Sequence, residues 1–142
     1  MQPINEIDGL DVPLITQGIF DRAMYNWDEE NYIIRRCNAG FGLDDKDYNG
    51  SSIFCNLVCS GKETTLYVRL GQGPCMGNAR IYLNGVAVAD AVDCYKADHG
   101  VGTSTISGLT FLKGLNVVQI RVEGHNASTD FYQLVVQQVL AW

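Results

Sequence analysis

The residues best equipped to hold a hard cation stand together in Asp45-Lys46-Asp47-Tyr48-Asn49-Gly50. Asp45, Asp47 and Asn49 put oxygen donors at alternate positions, and the glycine permits the sharp turn that converges such donors on one point in a calcium loop. The position of the bidentate glutamate is taken by Asn56, however, and a strand pattern follows where a helix is required. A loop whose Asp and Asn side chains bond their own backbone accounts for the same residues. Asp45, Asp47 and Asn49 are therefore candidate ligands for a structural Ca2+, and no other cofactor is expected.

Nucleophilic chemistry has less to stand on. A hydrolytic Ser or Cys needs a histidine beside it, and the two histidines, His99 and His125, lie in polar or glycine-rich stretches with no GxSxG elbow near them. Cys94 and His99 are separated by Tyr95-Lys96-Ala97-Asp98, a stretch with no periodicity that would bring them together. Acids and aromatics gather at Tyr25, Trp27, Asp28, Glu29 and Glu30, where paired carboxylates for glycoside hydrolysis are conceivable, but sandwich glycosidases carry their acids on inward-facing strand positions, and here the strand interiors are apolar. Gly71, Gly73 and Gly77 have the wrong spacing for a dinucleotide fingerprint, and Pro74 interrupts them. No catalytic residue is assigned and no enzyme is expected. Trp27, Tyr48, Tyr95 and His99, with Trp142, have the apolar face and polar edge that suit stacking on a sugar or a protein partner; the first four are the candidate ligand-binding residues.

The elements that would position these groups are strands. Leu66, Val68 and Leu70 alternate with Thr65, Tyr67 and Arg69; Ile81 and Leu83 with Arg80 and Tyr82; Val118, Ile120 and Val122 with Val117, Gln119 and Arg121. Period-two alternation is the mark of a half-buried antiparallel strand. Asn84-Gly85 between ARIYL and VAVAD is a strong hairpin signal, since both turn residues accept positive φ. Gly61-Lys62 separates a strand at Ser52–Ser60 from one at Thr64–Leu70, and Gly114-Leu115-Asn116 joins a short strand at Leu109–Leu112 to Val117–Glu123. A longer loop is expected over Gly71–Asn78, with further strands at Tyr32–Arg36, Val101–Ser107 and Phe131–Leu140. The sum is eight or nine short strands with turns between them, an all-β antiparallel jelly-roll sandwich. One short helix is expected over Phe20–Glu30 with Asp21 as its cap, preceded by an extended N-terminal arm over residues 1–20; residues 21–142 form the single sandwich domain.

Cys37, Cys55, Cys59, Cys75 and Cys94 are odd in number, so they cannot all pair within the chain, and no C-x-x-C pair is present. Cys55 and Cys59 share parity with Ile53 and Leu57, which reads as buried small hydrophobes. The net charge of −6, with ten scattered basic residues, argues against nucleic acid, which demands clustered Lys and Arg, and against an anionic membrane surface. The first basic residue is Arg22, so a secretory signal is not expected and synthesis in a cytoplasm is.

The second half of the sequence resembles the carbohydrate-binding-module-like sandwiches of the galactose-binding superfamily. The likeness is carried by KETTLYVRLG, NARIYLNGVAV, TISGLTFLKGLNVVQIRVEG and DFYQLVVQQVL, over Ser52 to Trp142. It implies a jelly roll and leaves the ligand open. Such modules travel behind signal peptides or attached to enzymes, whereas jelly rolls of this type also serve phage particles. The first expectation is thus a non-enzymatic phage virion accessory protein, a head or tail decoration or a fibre component. It would assemble through its arm as a symmetric oligomer, a homotrimer, with virion proteins and surface glycans as partners. A stand-alone carbohydrate-binding module or lectin is the alternative, and a small glycan-active sandwich enzyme the second.

If the acidic loop holds calcium, the ion raises the melting temperature and Asp45→Ala abolishes the rise. A melting curve that calcium leaves in place in the unaltered protein removes Asp45, Asp47 and Asn49 as ligands.

Overall fold

A computed structural model describes residues 16–24, 33–37, 40–44 and 49–142. Twelve strands follow one another along these residues: β1 (Thr16–Gln17), β2 (Ile19–Met24), β3 (Ile33–Cys37), β4 (Gly40–Asp44), β5 (Ser52–Cys59), β6 (Leu66–Gln72), β7 (Gly77–Leu83), β8 (Val86–Ala87), β9 (Val92–Asp93), β10 (Gly100–Ile106), β11 (Gly114–His125) and β12 (Leu134–Ala141). They form two sheets. The first has the order β10-β6-β12-β4-β3, with β1 also on β12; the second has the order β2-β5-β11-β7-β8, with β9 also on β7. Every strand pair is antiparallel. The all-β jelly-roll sandwich expected from the alternation is the fold observed.

The period-two patterns place the core. Ile53, Cys55, Leu57 and Cys59 of β5, Val118, Ile120 and Val122 of β11, and Ala79, Ile81 and Leu83 of β7 all face inward and are buried. Leu66, Val68 and Leu70 of β6 and Leu134, Val136, Val139 and Ala141 of β12 meet them from the other sheet. Cys55 and Cys59 are part of this interior, as their parity with Ile53 and Leu57 indicates.

Three expectations need correction. Phe20–Met24, read as the start of a helix, lies in β2, because Ile19–Met24 pairs with the well-alternating β5 across a bulge between Phe20 and Arg22; the rest of that helix, Tyr25–Glu30, falls outside the described residues. Leu109–Leu112 is not a strand. The carboxamide of Asn116 captures it: Oδ1 accepts from the Leu112 N–H at 2.8 Å and Nδ2 donates to the Leu112 carbonyl at 2.9 Å, taking the groups a ladder would use. The Gly71–Asn78 loop is shorter than expected, because β10 pairs as far as Gly71 and Gln72 and extends β6 through the glycine. Of the proposed arm, residues 1–15 lie outside the described residues, while Thr16 and Gln17 pair with Ala141 and Leu140, and Ile19 and Phe20 with Asn56 and Cys55. Gly18 makes the passage between the two sheets, where a Cβ would stand 2.3 Å from the Cys55 sulfur.

Polar side chains organise the end of the sandwich that holds the turns after β5 and β7. Asn84 and Gly85 both adopt positive φ, as the hairpin signal requires. Asn84 Nδ2 donates to Asn116 Oδ1 at 2.9 Å, so one fully buried carboxamide ties the β7–β8 hairpin to the segment before β11. In the β5–β6 turn the carboxylate of Glu63, itself buried, accepts from the Ser60 hydroxyl at 2.7 Å and from the Ser60, Gly61 and Lys62 N–H groups. Burial pulls the Glu63 carboxyl upward, but the hydrogen bonds it accepts outweigh that and hold it below its ordinary value.

Replacing Asn116 by Ala strands these partners in the interior and is expected to cost about 3 kcal/mol in urea unfolding; a loss under about 1 kcal/mol would show that the junction tolerates water. Glu63 sets an acid dependence. A carboxyl lowered in the folded state stabilises above its unfolded value of about 4 and loses that contribution as pH falls through the folded value. The stability gap between the unaltered protein and Glu63→Gln is therefore wide at about pH 7 and narrow at about pH 3; a gap of equal size at both pH values contradicts the assignment.

Candidate functional site

At the opposite end of the sandwich, β6 and β11 finish and β7, β10 and β12 begin. Antiparallel pairing thus gathers the segments at Gly73–Met76, Tyr95–His99 and Gly124–Gln133 at one pole, together with the turn at Asn49-Gly50. Connecting loops on a rigid scaffold are where binding residues concentrate.

Gly73 is the hinge of this pole. Its N–H donates to the Cys94 carbonyl at 3.1 Å and its carbonyl accepts from the Lys96 N–H at 3.0 Å, a parallel bridge that clamps Tyr95 between them. His99 lies against the same glycine, since a Cβ at Gly73 would stand 2.8 Å from its Nδ1. Half-buried Tyr95 thus meets this glycine through its backbone, and exposed His99 through its ring. Asp93 links Tyr95 to the next loop: Oδ1 accepts from the Tyr95 N–H at 2.9 Å, and Oδ2 accepts from Asn126 Nδ2 at 2.6 Å.

Asn126 in turn orders the β11–β12 loop. Its side-chain oxygen accepts from the Ser128 N–H at 2.9 Å and its carbonyl from the Thr129 N–H at 3.1 Å. His125 Nδ1 lies 2.7 Å from the Asn126 carbonyl, and its ring meets Tyr132 edge-on with centroids 5.0 Å apart. The result is a polar surface edged by aromatic rings, with side chains already held by hydrogen bonds, which lowers the ordering cost of binding.

Of the other expected site residues, Trp27, Tyr48, Asp45 and Asp47 lie outside the described residues. Asn49 is at the pole, but its Oδ1 accepts from the Gly124 N–H at 2.8 Å and so fastens the turn before β5 to the end of β11. Among the described residues no group of three His, Cys, Asp or Glu side chains is placed to hold a metal ion. Asp93, Asn126, His125 and Tyr132 are not among the candidate ligand-binding residues read from the sequence. The signal was present in Asn126-Ala-Ser, since an Asn two residues before Ser commonly makes the side-chain turn seen here.

Two further surfaces carry apolar or aromatic groups. On the outer face of the β10-β6-β12 sheet, Tyr67 and Trp142 lie tilted with centroids 6.2 Å apart, and Trp142 exchanges backbone hydrogen bonds with Thr65. Beside the Asn116 junction a groove of about 350 Å³ opens between Leu83, Val86, Val88, Leu109 and Leu112. The described thiols with shifted acidity are inert: burial pushes Cys55, Cys59 and Cys94 up to about 12, which keeps them protonated and poorly nucleophilic.

No family model and no curated protein matches the sequence. Solved structures do match in shape. A family 35 carbohydrate-binding module from an environmental isolate superposes with a TM-score of 0.58 at 14% identity, covering 92% of this chain and 93% of that one. The two share the fold, an antiparallel β-sandwich. A family 36 module solved with calcium and xylotriose gives 0.51 at 12% identity, over 86% of this chain and all of that one. A Paenibacillus xanthan lyase gives 0.59 at 15% identity over 81% of this chain, which spans only 12% of that much longer protein.

Proposed function

We propose that this chain is a non-catalytic carbohydrate-binding domain whose ligand sits at the Tyr95–His99 pole. The observation that carries the reading is the convergence of Tyr95 and His99 on Gly73, backed by the Asp93–Asn126 pair, in the fold that family 35 and 36 modules use. A sugar presents an apolar ring face and a rim of hydroxyls. An aromatic ring beside hydrogen-bonding groups that are already oriented matches both features. His99 offers a donor and an acceptor on one ring, and Tyr95 an apolar face with a phenol at its edge.

The likeness supports this reading over assembly on a phage particle, the first expectation from the sequence. The family 36 module binds xylotriose together with calcium, which makes xylo-oligosaccharides the first probes and calcium a variable to control. Asn49 is one of the three oxygen donors foreseen for that ion, and its carboxamide oxygen already has a donor in Gly124. A carboxamide oxygen has a second lone pair, so Asn49 remains a ligand candidate beside Asp45 and Asp47.

A glycan array run with and without calcium, followed by calorimetry on the best ligand, tests the proposal. Binding is expected to fall by about tenfold or more in Tyr95→Ala and His99→Ala, the loss of about 1–2 kcal/mol typical of a stacking or hydrogen-bonding contact, with melting temperatures little changed. An array without a hit, or variants that bind as well as the parent, sinks it.

A further inference from the structure

Among the described residues the two sheets have four edges, and three of them are defended. At β2 the bulge between Phe20 and Arg22 breaks the ladder, and Asp21 and Arg22 put charge on the strand. At β3 the sequence IIRRC carries Arg35 and Arg36. The far edge of the second sheet is split between β8 and β9, two residues each. Bulges, charges and short strands are the devices by which proteins stop an open edge from pairing with another chain.

The fourth edge, β10, has none of them. Its seven residues, GVGTSTI, contain no charge and no proline. They pair with β6 residue for residue from Gly100–Gln72 to Ile106–Leu66 without a register shift. Among the described residues nothing pairs with its outer side. Val101, Thr103 and Thr105 all point away from the core and are exposed, Val101 to 41%. The glycine at 102 has a local reason, because a Cβ there would stand 2.4 Å from the Gln72 amide nitrogen. It does not interrupt the strand.

We propose that the β10 edge pairs antiparallel with β10 of a second copy of this chain, joining the two β10-β6-β12 sheets into one continuous sheet about a two-fold axis near Thr103. The strand is complementary to itself. With Thr103 on the axis, Thr103 faces Thr103, Val101 faces Thr105, and Gly102 faces Ser104. Thr–Thr and β-branched pairs are favourable across strands, and no like charges meet. The nearest cation on that face, Arg69, is in register with Thr103 one strand further in. Two Arg69 side chains would stand three strand spacings apart, about 14 Å, beyond the screening length of about 8 Å at physiological salt. A second copy is favoured over an unrelated peptide because the strand is complementary to itself and carries no charge with which to select another sequence. One strand pair lies at the low end of specific interface size, so the dimer is concentration-dependent.

Sedimentation of the full chain from about 5 µM to about 500 µM tests this. The expected result is a rise from monomer to dimer mass. Thr103→Glu is the diagnostic variant. Within one copy the new carboxylate faces Arg69, which does not threaten the fold, while at the two-fold axis two carboxylates meet. Self-association should weaken by about tenfold or more, with circular dichroism and melting temperature preserved. Mixing Thr103→Glu with Thr103→Lys should restore a dimer containing one of each. A chain that stays monomeric across the range, a trimer mass, or a Thr103→Glu protein that associates like the parent overturns the proposal.

Discussion

β11 is the constraint on which the rest of the sandwich depends. It pairs with β5 on one side and β7 on the other, and its inward residues Val118, Ile120 and Val122 are fully buried. A one-residue slip of such a strand turns its apolar set out to solvent. That penalty fixes the register of both neighbours, and through β5 also that of β2. In this sheet the bulges fall at the edge, at Phe20–Arg22, and at the outer end of β11 past Val122; in the other sheet β12 bulges between Val136 and Gln138, and its inward set resumes at Val139. Once Val118–Val122 is set, the two ends of the molecule are defined, and with them which turns are neighbours.

The two ends have been put to different uses. At one, Asn116 and Glu63 bury hydrogen-bonding capacity that closes the turns onto the core, where every bond made internally is one that water would otherwise supply. At the other, the side chains of Asp93, Asn126 and Asn49 bond between loops near the surface and leave the rings of Tyr95, His125 and Tyr132 at least partly exposed. Rigidity at the first pole comes from burial, and at the second from loops bonded to loops. A surface of the second kind can meet a hydroxylated ligand without first paying for its own ordering.

Alternation made most of the fold legible. The inward sets of β5, β6, β7 and β11 and the Asn84-Gly85 turn follow from period two and from positive φ. What escaped was decided by contacts distant in sequence. Phe20–Met24 has no strong period of its own and becomes a strand because β5 offers it an edge. Leu109–Leu112 alternates well enough but loses its ladder to one side chain, Asn116, four residues beyond Leu112. The candidate site divides in the same way. Tyr95 and His99 were visible as residue types, yet their convergence depends on Gly73, more than twenty positions earlier, which no local pattern connects to them. Trp27, Tyr48, Asp45 and Asp47 were legible only as chemistry.

The geometry of the two sheets also limits what a pair of such chains can do together. Antiparallel pairing along β10 turns one copy end for end, so the Tyr95–His99 poles point in opposite directions while the Tyr67–Trp142 faces lie on the same side of the shared sheet. Avidity requires that both sites reach one target at once. Two opposed poles cannot do so on a single flat surface; if they bind glycan as proposed, they would hold two separate strands. A dimer built on this edge is therefore arranged as a cross-link, and its gain would appear in the gathering of polymer chains more than in the affinity for a short oligosaccharide.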